Sequence, residues 1–129
     1  MPKTPPSPKE LLLTHLDWNI QQLGEALKQG TTEYYKSAAL QRFGHSYLMA
    51  LKTIHSFSNQ KTETDEKECI ELANQNGWTE DKSQWDQMVN DFKSINQKPN
   101  LEQVESIYEK LPAYEKELKK LYRQFQGLV

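Results

Sequence analysis

The chain has 129 residues, 36% of them hydrophobic and 26% charged, and its 16 basic and 18 acidic side chains leave a formal net charge of -2. That length suits one domain, and an apolar fraction below the usual ~45–50% favours a slim, elongated or oligomeric fold. The charge balance argues against a general nucleic-acid binder, and no run approaches the ~18–20 apolar residues of a membrane span.

Met1 to Pro8 reads MPKTPPSP, with four prolines and no large apolar residue except the initiator. Such a segment is expected to be disordered, and its prolines stand where a signal peptide would be apolar, so a cytoplasmic protein is expected. The chain is therefore read as a proline-rich tail, residues 1–8, followed by one helical bundle domain, residues 9–129. Ser7 is a candidate N-cap with Pro8 at the first helical position, and Leu12, Leu16, Ile20, Leu23 and Leu27 form an apolar stripe up to a stop at Gly30.

Thr31 or Thr32 can cap a second helix of about 27 residues, roughly 40 Å at 1.5 Å per residue. Tyr35, Ala39, Phe43, Tyr47, Ala50, Ile54 and Phe57 keep its period. A polar turn over Ser58 to Thr64 leads to a shorter helix carrying Cys69, Ile70, Leu72 and Ala73, with Asp65 and Glu66 at its N-terminal end and Gly77 as its stop. Asp81 with Gln84, and Asn100 with Gln103, resemble capping boxes that open two further helices. The fourth helix buries Trp85, Met88, Val89, Phe92 and Ile95 and ends before Pro99. The last runs from Leu101 to Phe125, and Pro112 within it predicts a kink or break near Leu111. No segment alternates with the period of a strand, so the expected fold is all-α, an antiparallel bundle of four or five helices.

Chemistry is sparse in this pattern. Cys69 is the one cysteine, on an apolar helix face, and is expected to be buried and inert; none of the three histidines, His15, His45 and His55, has metal-ligand spacing. No metal and no cofactor are predicted, and the five glycines match no phosphate-binding loop. Lys116, Lys119, Lys120 and Arg123 share a stripe that reads as a solvated face because Glu115 and Glu117 interleave it. Glu102 and Glu105 read as ordinary surface residues, and Trp18, Trp78 and Trp85 as core or subunit packing. Arg42 and His45, three residues apart on the long helix, place a cation and a titratable ring side by side, which suits either a solvated polar pair or contact with a phosphate or nucleotide.

The run Ala38-Ala39-Leu40-Gln41-Arg42-Phe43, followed by Tyr47, Ala50, Lys52 and Thr53, resembles the nucleotidyltransferase substrate-binding subunits of the HEPN superfamily. The acidic start at Asp65 and Glu66, the Gly77 stop, and Trp85 with Met88 and Asp91 fit the same order, so the likeness covers about Leu12 to Phe125. It implies a HEPN-like bundle that forms a homodimer and binds a minimal nucleotidyltransferase, often as a toxin and antitoxin pair. Gly44 and Leu48 stand where the family has glutamates, and Leu51 where it has tryptophan. Superfamily members that cut RNA resemble one another in an arginine and a histidine at the end of the penultimate helix, and Phe92 and Gln97 occupy those places here. Neither side chain can exchange a proton near neutrality or supply a cation to stabilise a phosphorane.

The expected function is thus a non-enzymatic binding or regulatory subunit, a pseudo-enzyme or partner protein. Gln41, Arg42, His45 and Lys52 are expected to make polar contacts in a dimer groove to a partner or ligand, with a nucleotide or RNA as a further possible ligand and no membrane. Two alternatives stand beside it. One is a residual metal-independent ribonuclease or RNA-binding protein using Arg42 and His45, and the other a diverged stand-alone interaction module that recruits a partner through the tail.

Overall fold

The computed structural model describes residues 7–58 and 65–128. They form five helices, α1 (Pro8–Lys28), α2 (Glu33–Phe57), α3 (Glu66–Gln75), α4 (Lys82–Asn96) and α5 (Leu101–Gln126), with no strand among the described residues. The first six positions of the expected tail, and all of the polar turn except Ser58, lie outside the described residues.

Each helix begins where a short polar side chain can accept a hydrogen bond from one of the N–H groups that the helix itself leaves unsatisfied. Ser7 accepts from Glu10 N–H at 3.2 Å, with Pro8 in the first turn, and Thr32 accepts from Tyr35 N–H at 3.3 Å. Asp65 accepts from Glu68 N–H at 2.8 Å and Asp81 from Gln84 N–H at 3.1 Å. At Asn100 the exchange is reciprocal, its Oδ1 accepting from Gln103 N–H and Gln103 Oε1 accepting from Asn100 N–H, both at 2.9 Å. Gly30 (φ 144°) and Gly77 (φ 74°) follow α1 and α3 with backbone angles that side chains disfavour.

The helix α2 packs against each of the other four, and its Phe43, Tyr47, Ala50 and Ile54 are wholly buried. Residues 29–32 turn α1 back antiparallel to α2. Between α2 and α5 the contacts climb in the same sense: Lys36 reaches Glu105, Phe43 stacks on Tyr114, and Phe57 meets Phe125. These two helices are therefore parallel, while α4 runs antiparallel to α5, with Glu80 beside Lys120 and Asp91 beside Lys110.

Two expectations are corrected and one is narrowed. α5 is one helix of 26 residues, unbroken at Pro112. Proline removes one N–H and crowds the carbonyl four residues back, at a cost of about 3 kcal/mol, but Leu111 and Tyr114 on either side are fully buried, so both halves are held in the core. In α1 the core position is Leu13, 4% exposed, and Leu12 is only half-buried. Three consecutive leucines, Leu11 to Leu13, left the phase of the stripe open to that one-residue shift. Of the core or subunit packing expected of the tryptophans, the 54% exposure of Trp18 excludes the core of this chain. Trp85 is fully buried, and Trp78 packs edge-on against Phe125 with ring centroids 4.9 Å apart.

Candidate functional site

The three- and four-residue steps of α2 that bury Phe43, Tyr47 and Ile54 turn another stripe to solvent. Gln41, His45, Leu48 and Lys52 are all exposed on it, so three of the four residues singled out from the sequence share one line. Arg42 lies on its flank, half-buried. From Tyr34 to Phe57 the helix carries Lys36, Arg42, His45, Lys52 and His55 and no carboxylate, although the whole chain is net acidic. Lys36 is neutralised by Glu105 at 2.6 Å, whereas among the described residues no carboxylate is within ion-pair distance of Arg42 or Lys52. Leu48, 42% exposed, sits in the middle of the stripe, giving an apolar point flanked by cations and hydrogen-bonding groups.

The residues that depart from the resemblance are distributed differently from what a polar groove would need. Gly44 and Leu51 are buried, and only Leu48 faces solvent. Phe92 is 7% exposed, its ring centroid 4.8 Å from that of Tyr47, and a Cβ placed on Gly44 would lie 3.5 Å from its ring. Gly44 and Phe92 are thus neighbours across the α2–α4 contact, and a long acidic side chain at 44 would run into the aromatic ring. Gln97 is exposed just beyond α4, its N–H donating to the Ser94 carbonyl at 3.1 Å. Phe92 is core packing and Gln97 a helix end; the two converge on no common site.

Sequence reasoning missed the buried polar network behind the stripe. Tyr47 donates to Glu66 of α3 at 3.3 Å, and Tyr114 of α5 donates to Asp91 of α4 at 2.5 Å, with Lys110 Nζ 3.0 Å from the same carboxylate. Phe43 lies between the two tyrosines, 5.1 Å from Tyr114 and 6.0 Å from Tyr47. Burial, and then the adjacent carboxylate, push both phenols well above the ordinary tyrosine range. Such groups stay protonated and act as donors that join α2, α3, α4 and α5, not as acids or nucleophiles. Glu105, read from sequence as an ordinary surface residue, is half-buried and ties α5 to α2 through Lys36. These partners are 19 to 69 residues apart in the chain, beyond the reach of any spacing rule.

The α5 basic stripe is the solvated face expected of it. Lys119 is 3.7 Å from Glu115, and Lys120 is shared between Glu117 at 3.3 Å and Glu80 at 3.4 Å. Cys69 is 4% exposed, His15 is exposed and His55 half-buried. Among the described residues no cluster of three His, Cys, Asp or Glu side chains could hold a metal, and no helix is long and apolar enough to cross a membrane.

Compared with families of known proteins, residues 11–127 match the family described as nucleotidyltransferase substrate binding protein like. No curated protein matches the chain.

Proposed function

The chain belongs to the nucleotidyltransferase substrate binding protein-like family, and from that premise we propose that it is a non-catalytic, HEPN-like subunit that forms a homodimer and binds a minimal nucleotidyltransferase in a toxin–antitoxin type of complex. The observation that carries this reading is the α2 stripe. Gln41, His45 and Lys52 line up around Leu48, with Arg42 beside them, and neither cation has a carboxylate partner among the described residues. An apolar centre rimmed by basic and amide groups suits an acidic surface of a protein partner, because the partner's carboxylates supply the charge that this stripe lacks. Phe92 and Gln97, at the places of a nuclease arginine and histidine, support the non-catalytic part of the reading, since neither side chain offers a cation or a proton.

The test is co-purification with the nucleotidyltransferase-type protein of the same host. Reversing charge in a His45→Glu/Lys52→Glu double variant should weaken capture at least tenfold and leave helical content unchanged, because both side chains are exposed. Undiminished capture would remove the stripe as the site. Titration of the purified chain with nucleotides and with a structured RNA, read by calorimetry and by gel, addresses a nucleotide or RNA ligand; RNA cleavage lost in Arg42→Ala would overturn the non-catalytic reading.

A further inference from the structure

The helices α1, α2 and α5, of 21, 25 and 26 residues, each pack against the other two. Together they bury Leu16, Ile20, Leu23, Phe43, Leu118 and Phe125. Three helices of this length can close a core by themselves, since domains of about 60 residues fold alone. α3 and α4 join from one side: both backbones approach α2, and α4 also approaches α5, but neither comes near α1.

The polar links across that boundary share a polarity. Tyr47 donates to Glu66 at 3.3 Å, Tyr114 donates to Asp91, Lys110 lies 3.0 Å from the same carboxylate, and Lys120 lies 3.4 Å from Glu80. In each of them the carboxylate belongs to the α3–α4 segment and the donor to α2 or α5. Within the segment, Lys82 pairs with Glu71 at 2.8 Å and ties α4 to α3. The segment thus has a tie of its own, while its buried links to the other helices weaken together once water reaches any of them. At its C-terminal end the chain turns through Lys98, whose φ of 54° is a left-handed angle that side chains disfavour, and freeing α4 lets that residue relax.

We infer that α3 and α4 detach from α1, α2 and α5 as one unit, in an opening that leaves the three-helix core folded. It bares the face of α2 around Gly44 and Tyr47, on which the Phe92 ring lies. Opening gives up burial of Trp85, Met88 and Phe92 and leaves Tyr47, Tyr114, Lys110 and Lys120 without their carboxylates, so the closed form dominates. The open form is reached before global unfolding because no contact among α1, α2 and α5 has to break.

Hydrogen exchange on the full chain, read by mass spectrometry across a urea series, tests the opening. Amides of α3 and α4 should exchange at least tenfold faster than the slowest amides of α1, α2 and α5. Both helices should accelerate with urea along one common slope, shallower than that of the three-helix core, because the opening exposes less surface than unfolding does. Ile20→Val removes one carbon from a side chain of α1 that stays buried in the open form. It should speed the slowest amides of α1, α2 and α5 about fivefold and leave those of α3 and α4 unchanged. If Ile20→Val alters no rate, the wild-type slopes decide. Equal acceleration of all five helices in that variant would mean that the chain unfolds in a single step, and would overturn the inference. So would different urea slopes for α3 and α4, or fast exchange there without urea dependence, because those mark separate or local fluctuations.

Discussion

Alkaline pH is the perturbation that reads the buried network most directly. Tyr47 and Tyr114 are fully buried, and each donates its phenolic proton to a carboxylate, Glu66 or Asp91. Burial first, and the carboxylate second, raise both above the ordinary tyrosine value of 10.0. In the unfolded chain these phenols ionise near pH 10; in the folded chain they remain protonated well beyond it. The folded state therefore binds more protons than the unfolded state above pH 10, and stability must fall as pH rises there. Their contribution is complete below pH 10 and is lost progressively above it. The slope is about 1.4 kcal/mol per pH unit for each tyrosine, at most about 2.7 for the pair. Two pH units therefore remove at most about 5 kcal/mol, the whole stability of a domain at the lower end of the typical ~5–15 kcal/mol. The assay is urea denaturation followed by circular dichroism at intervals from pH 8 to 11.5, on the wild type, on Tyr47→Phe, on Tyr114→Phe and on the double variant. Lysine titration contributes to all four curves equally, so the difference in slope isolates the tyrosines. The wild type should lose stability most steeply, the single variants less so and the double variant least. Absorbance at 295 nm should show two of the six tyrosines withholding their ionisation until the chain unfolds. Identical slopes in the wild type and the double variant would refute the reasoning.

Gly44→Ala should raise stability by up to about 1 kcal/mol, because alanine is the better helix former and its Cβ would meet Phe92 at an ordinary 3.5 Å. Gly44→Glu should lower it by more than about 2 kcal/mol by forcing a carboxylate against that ring, a contrast that chemical denaturation resolves. Pro112→Ala should stabilise by about 1–3 kcal/mol, since Pro112 is exposed and the restored N–H can bond to the Tyr108 carbonyl; an unchanged or lower melting temperature would mean that α5 is already relaxed around the proline. Asp91→Asn should cost about 2–3 kcal/mol at neutral pH by weakening the acceptor for Tyr114 and removing the charge paired with Lys110. The penalty should shrink in Asp91→Asn/Lys110→Met, where no cation is left without its partner.

Much of this protein is written in short-range signals. The five capping residues, Ser7, Thr32, Asp65, Asp81 and Asn100, and the stops at Gly30 and Gly77 act within three or four residues of themselves, and each helix starts or ends beside them. The alignment of Gln41, His45 and Lys52 is equally local, because helical spacing alone puts them on one stripe. The run around Gln41 to Thr53 likewise carries the resemblance to the family that residues 11–127 match. Tertiary packing decided the rest, through the rotation of each helix about its axis and the company it keeps. One residue separates Leu12 from Leu13 as the first core position of α1, whose Leu16, Ile20 and Leu23 are buried as their spacing predicts. Only the assembled bundle sets α2 parallel to α5, places Phe92 over Gly44, and lets flanking packing carry α5 through Pro112. It also brings Asp91, Lys110 and Tyr114 together, and Glu66 to Tyr47. Those contacts join residues far apart in the chain, and their strength comes from exclusion of water, which no single helix achieves alone.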